Sequence, residues 1–236
     1  MVTKINIKGY VCHLAQNADA EIITYMLYPA LEQLEAKWVD KMAIEHKINL
    51  AIVYVPAEDW NNVLTPWSEP PEAKGFYPFG GEAPKFLDLL QTEIIPAVES
   101  KVKVNARDLL GVSLGGLFTL WQWMICDTFR NIASLSGSFW YNGFIDWFDT
   151  KIQALSSMKK EKPESKGKAY FLLGEDEPKA HIQAYRSVGV NTLHIVEKLK
   201  EAGIEVTFEW VPGNHFSRPV HRAEKALENL YDSPSP

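Results

Sequence analysis

Apolar residues fall along this chain in short strand-like runs, separated by longer stretches with helical spacing. Ile5–Leu14 alternates loosely, as an edge strand or the first arm of a hairpin does. Ile22–Tyr28 is a β-branched and aromatic run that stops at Pro29. From Ala30 to His46, Leu31, Leu34, Trp38, Met42 and Ile44 return at nearly helical intervals. Ile48–Val55 is continuous enough to be a central parallel strand buried on both faces. A proline- and aromatic-rich loop then runs from Pro56 to Pro84, a length that compact domains rarely carry without a use for it.

Beyond that loop the spacing predicts a helix over Lys85–Val102, a strand over Asp108–Val112 and a helix over Gly116–Asp127. A strand at Ile132–Leu135, a helix at Phe144–Leu155 and a Lys/Glu/Ser-rich surface crossing to Lys168 follow. Ala169–Leu173, Ile182–Ala202, Ile204–Trp210 and Arg218–Leu230 read as strand, helix, strand, helix, and 231–236 as a frayed tail. Strands that alternate with helices imply βαβ units, hence a mostly parallel sheet with helices on both faces. The 236 residues fit a single α/β domain, and no block is large enough for a separate lid domain.

Composition narrows the functional classes. Hydrophobic residues make up 46% and charged residues 23%, the balance of a folded globular chain. The net charge is −6, and the few basic clusters are short; Lys159–Lys160 with Lys162 is interleaved with Glu161 and Glu164. Without a basic stripe to neutralise phosphates, nucleic acid is not the expected partner. No apolar stretch approaches the length of a membrane span, and the N-terminus lacks the apolar core of a signal peptide. Cys12 and Cys126, far apart in the chain, read as two reduced thiols in a cytoplasmic protein.

The chemistry starts at Gly111-Val112-Ser113-Leu114-Gly115, a G-x-S-x-G pentapeptide followed by Gly116. A serine on a sharp strand-to-helix turn has a strained backbone, and close neighbours leave no room for Cβ atoms, hence the glycines. Such a pentapeptide also arises by chance. Its flanks give it weight, because Leu109-Leu110 leads in as a strand and Leu117–Trp121 leads out as a helix. The helix N-terminus favours negative charge beside Ser113, and the Leu114 N–H is a candidate oxyanion donor.

A serine hydroxyl needs a base, and in a serine-elbow fold the chain order is serine, acid, histidine. His13 and His46 precede Ser113. His181, His194 and His221 fall on expected helices. His215 follows the last expected strand in Trp210-Val-Pro-Gly-Asn-His-Phe216, at the strand's carboxyl end, where a base belongs. The acid should leave the preceding strand, where Glu175, Asp176 and Glu177 follow Gly174. The usual offset of three from such a glycine selects Glu177, with Asp176, or a serine–histidine dyad that has no third member, as the alternatives. Metal and phosphate sites have no comparable support, since no H-E-x-x-H, paired cysteines, Walker motif or G-x-G-x-x-G occurs.

Five segments occur in order: Asp59-Trp-Asn-Asn-Val-Leu-Thr-Pro-Trp67, Phe79-Gly-Gly81, Gly111–Gly116, Ser136-Gly-Ser-Phe-Trp-Tyr141 and Pro212-Gly-Asn-His-Phe216. Together they resemble the esterase family of the α/β-hydrolase superfamily that includes esterase D-like enzymes and siderophore trilactone esterases. The likeness extends from about Ile48 to Leu230. It implies a serine hydrolase of carboxylic esters, with Ser113 as nucleophile, His215 as base and an acid in the 174–177 turn; no metal or cofactor is expected. Esterase D-like members often carry a His-Gly turn after the strand that feeds the oxyanion hole. Here that strand ends Tyr28-Pro29-Ala30, and proline has no N–H, so the Ala30 or Leu31 amide becomes the expected second donor.

Trp60, Asn61 and Trp67 follow one central strand and Trp140 follows another, so these four are expected pocket-wall residues. Their alternative role is to clamp the long loop to the body. The expected partner is a small-molecule ester. Acyl transfer to an alcohol through the same intermediate, or a non-catalytic binding protein on this fold, are the alternative readings.

Overall fold

The computed structural model describes residues 1–30, 33–157 and 166–231. Its first apolar run holds a whole hairpin rather than one strand. β1 (Val2–Ile7) and β2 (Tyr10–Ala15) pair antiparallel across Lys8 and Gly9. Their φ values of 50° and 92° are the two positive angles that a two-residue hairpin turn of the right twist demands. A lysine in that position gives no turn signal, which is why the alternation looked uninterrupted.

β3 (Ile22–Pro29) follows, then α1 (Ala36–Glu45) and β4 (Asn49–Val55). The helix begins at Ala36, not Ala30, because Pro29 still pairs with Val55 and the Ala30 N–H extends that pairing. β4 is buried along its whole length, as expected of a central strand.

The 56–84 segment is not structureless. It carries α2 (Ala57–Val63), started by Pro56 and by Glu58 and Asp59 in its first turn, and a short ribbon of β5 (Ser68–Glu69) with β6 (Phe79–Gly80). α3 (Ala83–Leu89) passes through a π-helical turn (Leu90–Ile94) into α4 (Ile95–Glu99).

β7 (Ala106–Val112), α5 (Leu114–Ile125), β8 (Asn131–Leu135) and α6 (Phe144–Ser157) come next. After β9 (Lys168–Gly174), two 3-10 turns, Glu177–Lys179 and Gln183–Ser187, precede α7 (Val188–Glu201). β10 (Glu205–Val211) and α8 (Pro219–Tyr231) complete the described chain. Most of the expected Lys/Glu/Ser crossing (158–165) and nearly all of the expected tail (232–236) lie outside the described residues.

The main sheet has eight strands in the order β1-β2-β4-β3-β7-β8-β9-β10. β1, β2 and β4 pair antiparallel, and all pairs from β4 to β10 are parallel. Two apolar layers cover it. Leu34, Val39, Met42, Ala223, Leu227 and Leu230, from α1 and α8 and the approach to α1, pack on one face. Phe86, Leu90, Phe118, Phe148, Ile195 and Leu199, from the helices between, pack on the other. α5 is buried on nearly every side, so it is a core helix and holds its N-terminus in a fixed place.

From β3 the chain moves first to β4 on one side, then to β7 on the other. Their carboxyl ends therefore border the topological switch point, where open α/β sheets bind ligands.

Candidate active site

Ser113 stands at that switch point, between β7 and α5. Its φ of 57° and ψ of −121° place a β-carbon-bearing residue in a region that costs about 1–3 kcal/mol. The surroundings hold it there: its N–H donates to Leu135 O at 2.9 Å, and its carbonyl accepts from Ser138 N at 3.1 Å and starts α5. Two glycines of the elbow are sterically required. A Cβ on Gly111 would overlap the Gly115 carbonyl, and one on Gly116 would sit 2.6 Å from Ser134 Oγ. Gly115, the second glycine of the pentapeptide, would meet nothing nearer than Leu27 Cβ at 3.4 Å, an ordinary contact. The close approach expected on both sides of the serine is therefore made by Gly111 and the additional Gly116.

His215 reaches Ser113 from a turn beyond β10. The Asn214 side chain accepts from Phe216 N at 3.0 Å and fixes that turn, a local bond that asparagine makes readily. The loops after β9 and β10 are joined by Glu175 N to Val211 O at 2.9 Å and Asp176 N to Gly213 O at 3.1 Å. His215 Nε2 lies 3.1 Å from Ser113 Oγ, and its Nδ1 lies 2.9 Å from Glu177 Oε2. With the proton on Nδ1 donated to the carboxylate, Nε2 is left to accept from the serine hydroxyl. Three side chains remote in sequence thus form one continuous hydrogen-bonded line.

Between the two acids left open by the sequence, the geometry separates clearly. Asp176 is exposed and pairs with Lys179 at 2.7 Å. Glu177 is buried and faces His215. Its Oε1 accepts from Ser136 Oγ at 2.7 Å, Gly174 N at 2.7 Å and Arg222 Nη1 at 3.0 Å. Burial by itself would raise the Glu177 pKa. The hydrogen bond and charge of His215, with Ser136 and Gly174, outweigh it and hold the carboxyl below its ordinary value.

Arg222 and Ser136 were not found by sequence reasoning. Arg222, on α8, also donates to Ser136 Oγ and, at 2.6 Å, to Asn214 O, so it ties the acid to the loop that bears His215. Ser136 has a left-handed φ of 50° at the end of β8. The signals were slight: an arginine on the inner face of an amphipathic helix, and the first serine of Ser136-Gly-Ser138. The second, Ser138, lies with its Oγ 3.4 Å from Ser113 Oγ.

A cavity of about 480 Å³ opens over the serine, with Ser113, Leu114, Glu177 and His215 in its wall. Trp60, Asn61 and Trp140 line it as expected. Trp67 does not. Its Nε1 donates to Asn142 O at 3.1 Å and its ring packs against Tyr141, Phe144 and Trp147, so it clamps the long loop to α6.

Ala30 is a second correction. Its N–H donates to Val55 O at 2.9 Å and is not available to an oxyanion. Leu31, the other expected donor, lies outside the described residues. The Leu114 N–H, in the first turn of α5, belongs to the group of helix amides that have no partner within the helix.

Sequence reasoning also placed His181 on a helix. It sits instead in the bend between the 3-10 turns and faces the cavity, as do Glu72, Phe76, Tyr185 and Phe216. Burial and the neighbouring Glu72 raise the Tyr185 pKa, which keeps its hydroxyl protonated and donating.

The sheet, the switch-point elbow and the serine–histidine–acid line define an α/β-hydrolase of the esterase type. Residues 32–219 match a family model described as "Putative esterase", so the chain belongs to that esterase family and is an ester hydrolase. No curated protein sequence matches it.

Among solved structures, the siderophore hydrolase EstA of Aspergillus nidulans superposes with a TM-score of 0.77 at 16% identity, covering 100% of this chain and 95% of that one. An IroE-like serine hydrolase of Shewanella oneidensis gives 0.74 at 17%, covering 98% and 80%. The enterobactin and salmochelin hydrolase IroE gives 0.66 at 20%, covering 99% and 95%. These likenesses extend over the whole fold. Among the described residues, no helix is long and apolar enough to cross a membrane.

Proposed function

We propose that this protein cleaves carboxylic esters through an acyl-enzyme on Ser113. The observation that carries the reading is the unbroken line Ser113 Oγ, His215 Nε2, His215 Nδ1, Glu177 Oε2, with links of 3.1 and 2.9 Å. Ser113 Oγ attacks the ester carbonyl as His215 accepts its proton. Glu177 holds the ring and stabilises the imidazolium. The Leu114 N–H, backed by the α5 N-terminus, stabilises the oxyanion. His215 then returns the proton to the leaving alcohol, and water repeats the sequence to release the acid.

The substrate is a small-molecule ester, which a cavity of about 480 Å³ accommodates, with Trp60, Asn61 and Trp140 as wall. EstA and IroE are named for siderophore or enterobactin hydrolysis, which supports siderophore esters as candidates. We read the chain as one catalytic domain acting without metal, cofactor or nucleic acid. The two free thiols, Cys12 and Cys126, support a reducing, cytoplasmic setting. Acyl transfer and a purely binding role have no observation in their favour.

A fluorophosphonate probe and p-nitrophenyl acetate test the assignment. The wild type should be labelled and should release nitrophenol, and Ser113→Ala should do neither. Equal labelling of the two would remove Ser113 from the mechanism.

A further inference from the structure

We propose that the cavity selects esters that carry a cationic ammonium group, and that Glu72 is the residue that recognises it. The inference rests on this cavity being the ester site.

Glu72 lies on the loop between β5 and β6 and forms part of the cavity wall. Its Oε1 accepts the Tyr185 hydroxyl at 2.9 Å. Its Oε2 is buried and has no hydrogen-bond partner. A carboxylate oxygen shielded from bulk water and left unpaired projects more potential into a neighbouring cavity than one at an open surface.

The other acids of the wall are already answered by cations: Asp176 by Lys179, and Glu177 by Arg222. Among the described residues, no Lys or Arg side chain lines the cavity, and neither of its histidines, His181 and His215, forms an ion pair with Glu72.

The walls beside it are aromatic. Tyr185 and Trp140 pack with centroids 4.4 Å apart, and Phe76, half exposed, stands at the rim. Ring faces carry the negative part of the aromatic quadrupole and attract cations within about 6 Å. A carboxylate without a counter-ion next to such faces suits a tetrahedral ammonium, which gains from both. A neutral hydrogen-bond donor gains from the carboxylate alone, and an anionic ester meets an unscreened like charge.

Two acetate esters of nearly identical shape separate these cases: acetylcholine, and 3,3-dimethylbutyl acetate, in which carbon replaces the charged nitrogen. The wild type should favour acetylcholine in kcat/KM by roughly tenfold, the scale of a desolvated cation–π contact with added charge pairing. Glu72→Gln keeps an acceptor for Tyr185 but removes the charge, and should bring that ratio close to one. Because the readout is a ratio, loss of folded protein does not affect it.

A wild-type ratio of one or less overturns the inference, as does a ratio that Glu72→Gln leaves unmoved. So does hydrolysis of neither ester by protein whose Ser113-dependent cleavage of p-nitrophenyl acetate is intact. Absence of that reference activity would overturn the proposed esterase mechanism, and this inference with it.

Discussion

The two ends of the parallel sheet each bury a carboxylate beside an arginine, and the two carboxylates have opposite neighbourhoods. At the amino end, Asp108 of β7 accepts from Arg130 at 3.0 Å, Asn131 N at 3.0 Å and Tyr231 OH at 2.7 Å, so both of its oxygens are held by fixed donors. At the carboxyl end, Glu177 gives one oxygen to Ser136, Gly174 and Arg222. The other faces only His215, the base of the proposed mechanism. The difference separates structure from chemistry. A buried acid whose partners are all permanent joins elements together, whereas one that keeps an oxygen for a titratable partner can orient a base.

The largest break in this comparison should come from Glu177→Gln. An amide can hold the histidine in the wrong tautomer and no longer offsets imidazolium charge, so kcat should fall by about 10⁴-fold, as losing the charge of a triad acid does. Steady-state kinetics on p-nitrophenyl acetate measure it, and a loss of less than tenfold would demote Glu177 to a structural acid.

Asp108→Ala should do the converse. It strips Tyr231, Asn131 and Arg130 of a shared acceptor, and unfolding free energy should drop by about 3 kcal/mol in urea titration. The folded fraction should retain wild-type kcat, because Asp108 lies five residues before Ser113 on a straight strand, about 16 Å away.

How far each end could be read in the sequence follows from the range of the interactions that build it. Ser113, His215 and Glu177 were legible because each depends on local backbone chemistry: an elbow between glycines, and polar turns at the carboxyl ends of two strands. Arg222 and Ser136 hold the acid through contacts that cross 45 and 41 residues of chain, and no spacing rule encodes such pairs. Asp108, Arg130 and Tyr231 were hidden for the same reason.

The tryptophans show the limit from another side. Trp67 and Trp140 both follow central strands in aromatic loops, yet one clamps α6 and the other faces the cavity. Only the path of the loop distinguishes them. The parallel sheet was read nearly strand for strand. The exceptions were the hairpin, hidden by Lys8 in a left-handed turn, and the ribbon and helix inside the 56–84 loop.

Acid should sharpen the contrast through the Glu177 charge. Its pKa is below the ordinary value in the folded protein, so its stabilising contribution is complete above the ordinary carboxylate range and is lost as pH falls through the lowered value. Glu177→Gln has no proton to take up there. The stability advantage of the wild type over this variant should therefore shrink on acidification between about pH 5 and pH 3. Urea midpoints for the two proteins across that range measure it, and a constant gap would show that the carboxyl is not perturbed by folding.

The smallest test removes one hydroxyl from each acid. Tyr231→Phe takes a donor from Asp108, and Ser136→Ala takes one from Glu177 Oε1. Tyr231→Phe loses the bonds to Asp108 and Thr24, and Ser136→Ala those to Glu177 and Arg222, so each should cost at least about 1.5–3 kcal/mol of unfolding free energy. Activity should divide them. Tyr231→Phe leaves every contact around Ser113 in place and should keep its kcat. Ser136→Ala frees Glu177 to turn away from His215, and also takes from Arg222 an acceptor that helps tie the acid to the His215 loop. Its kcat should fall severalfold with little change in KM, because the ring loses orientation while the cavity wall loses only one hydroxyl. Equal kcat in the two variants would mean that Arg222 and Gly174 suffice to hold the acid, and that the left-handed turn at Ser136 serves the fold alone.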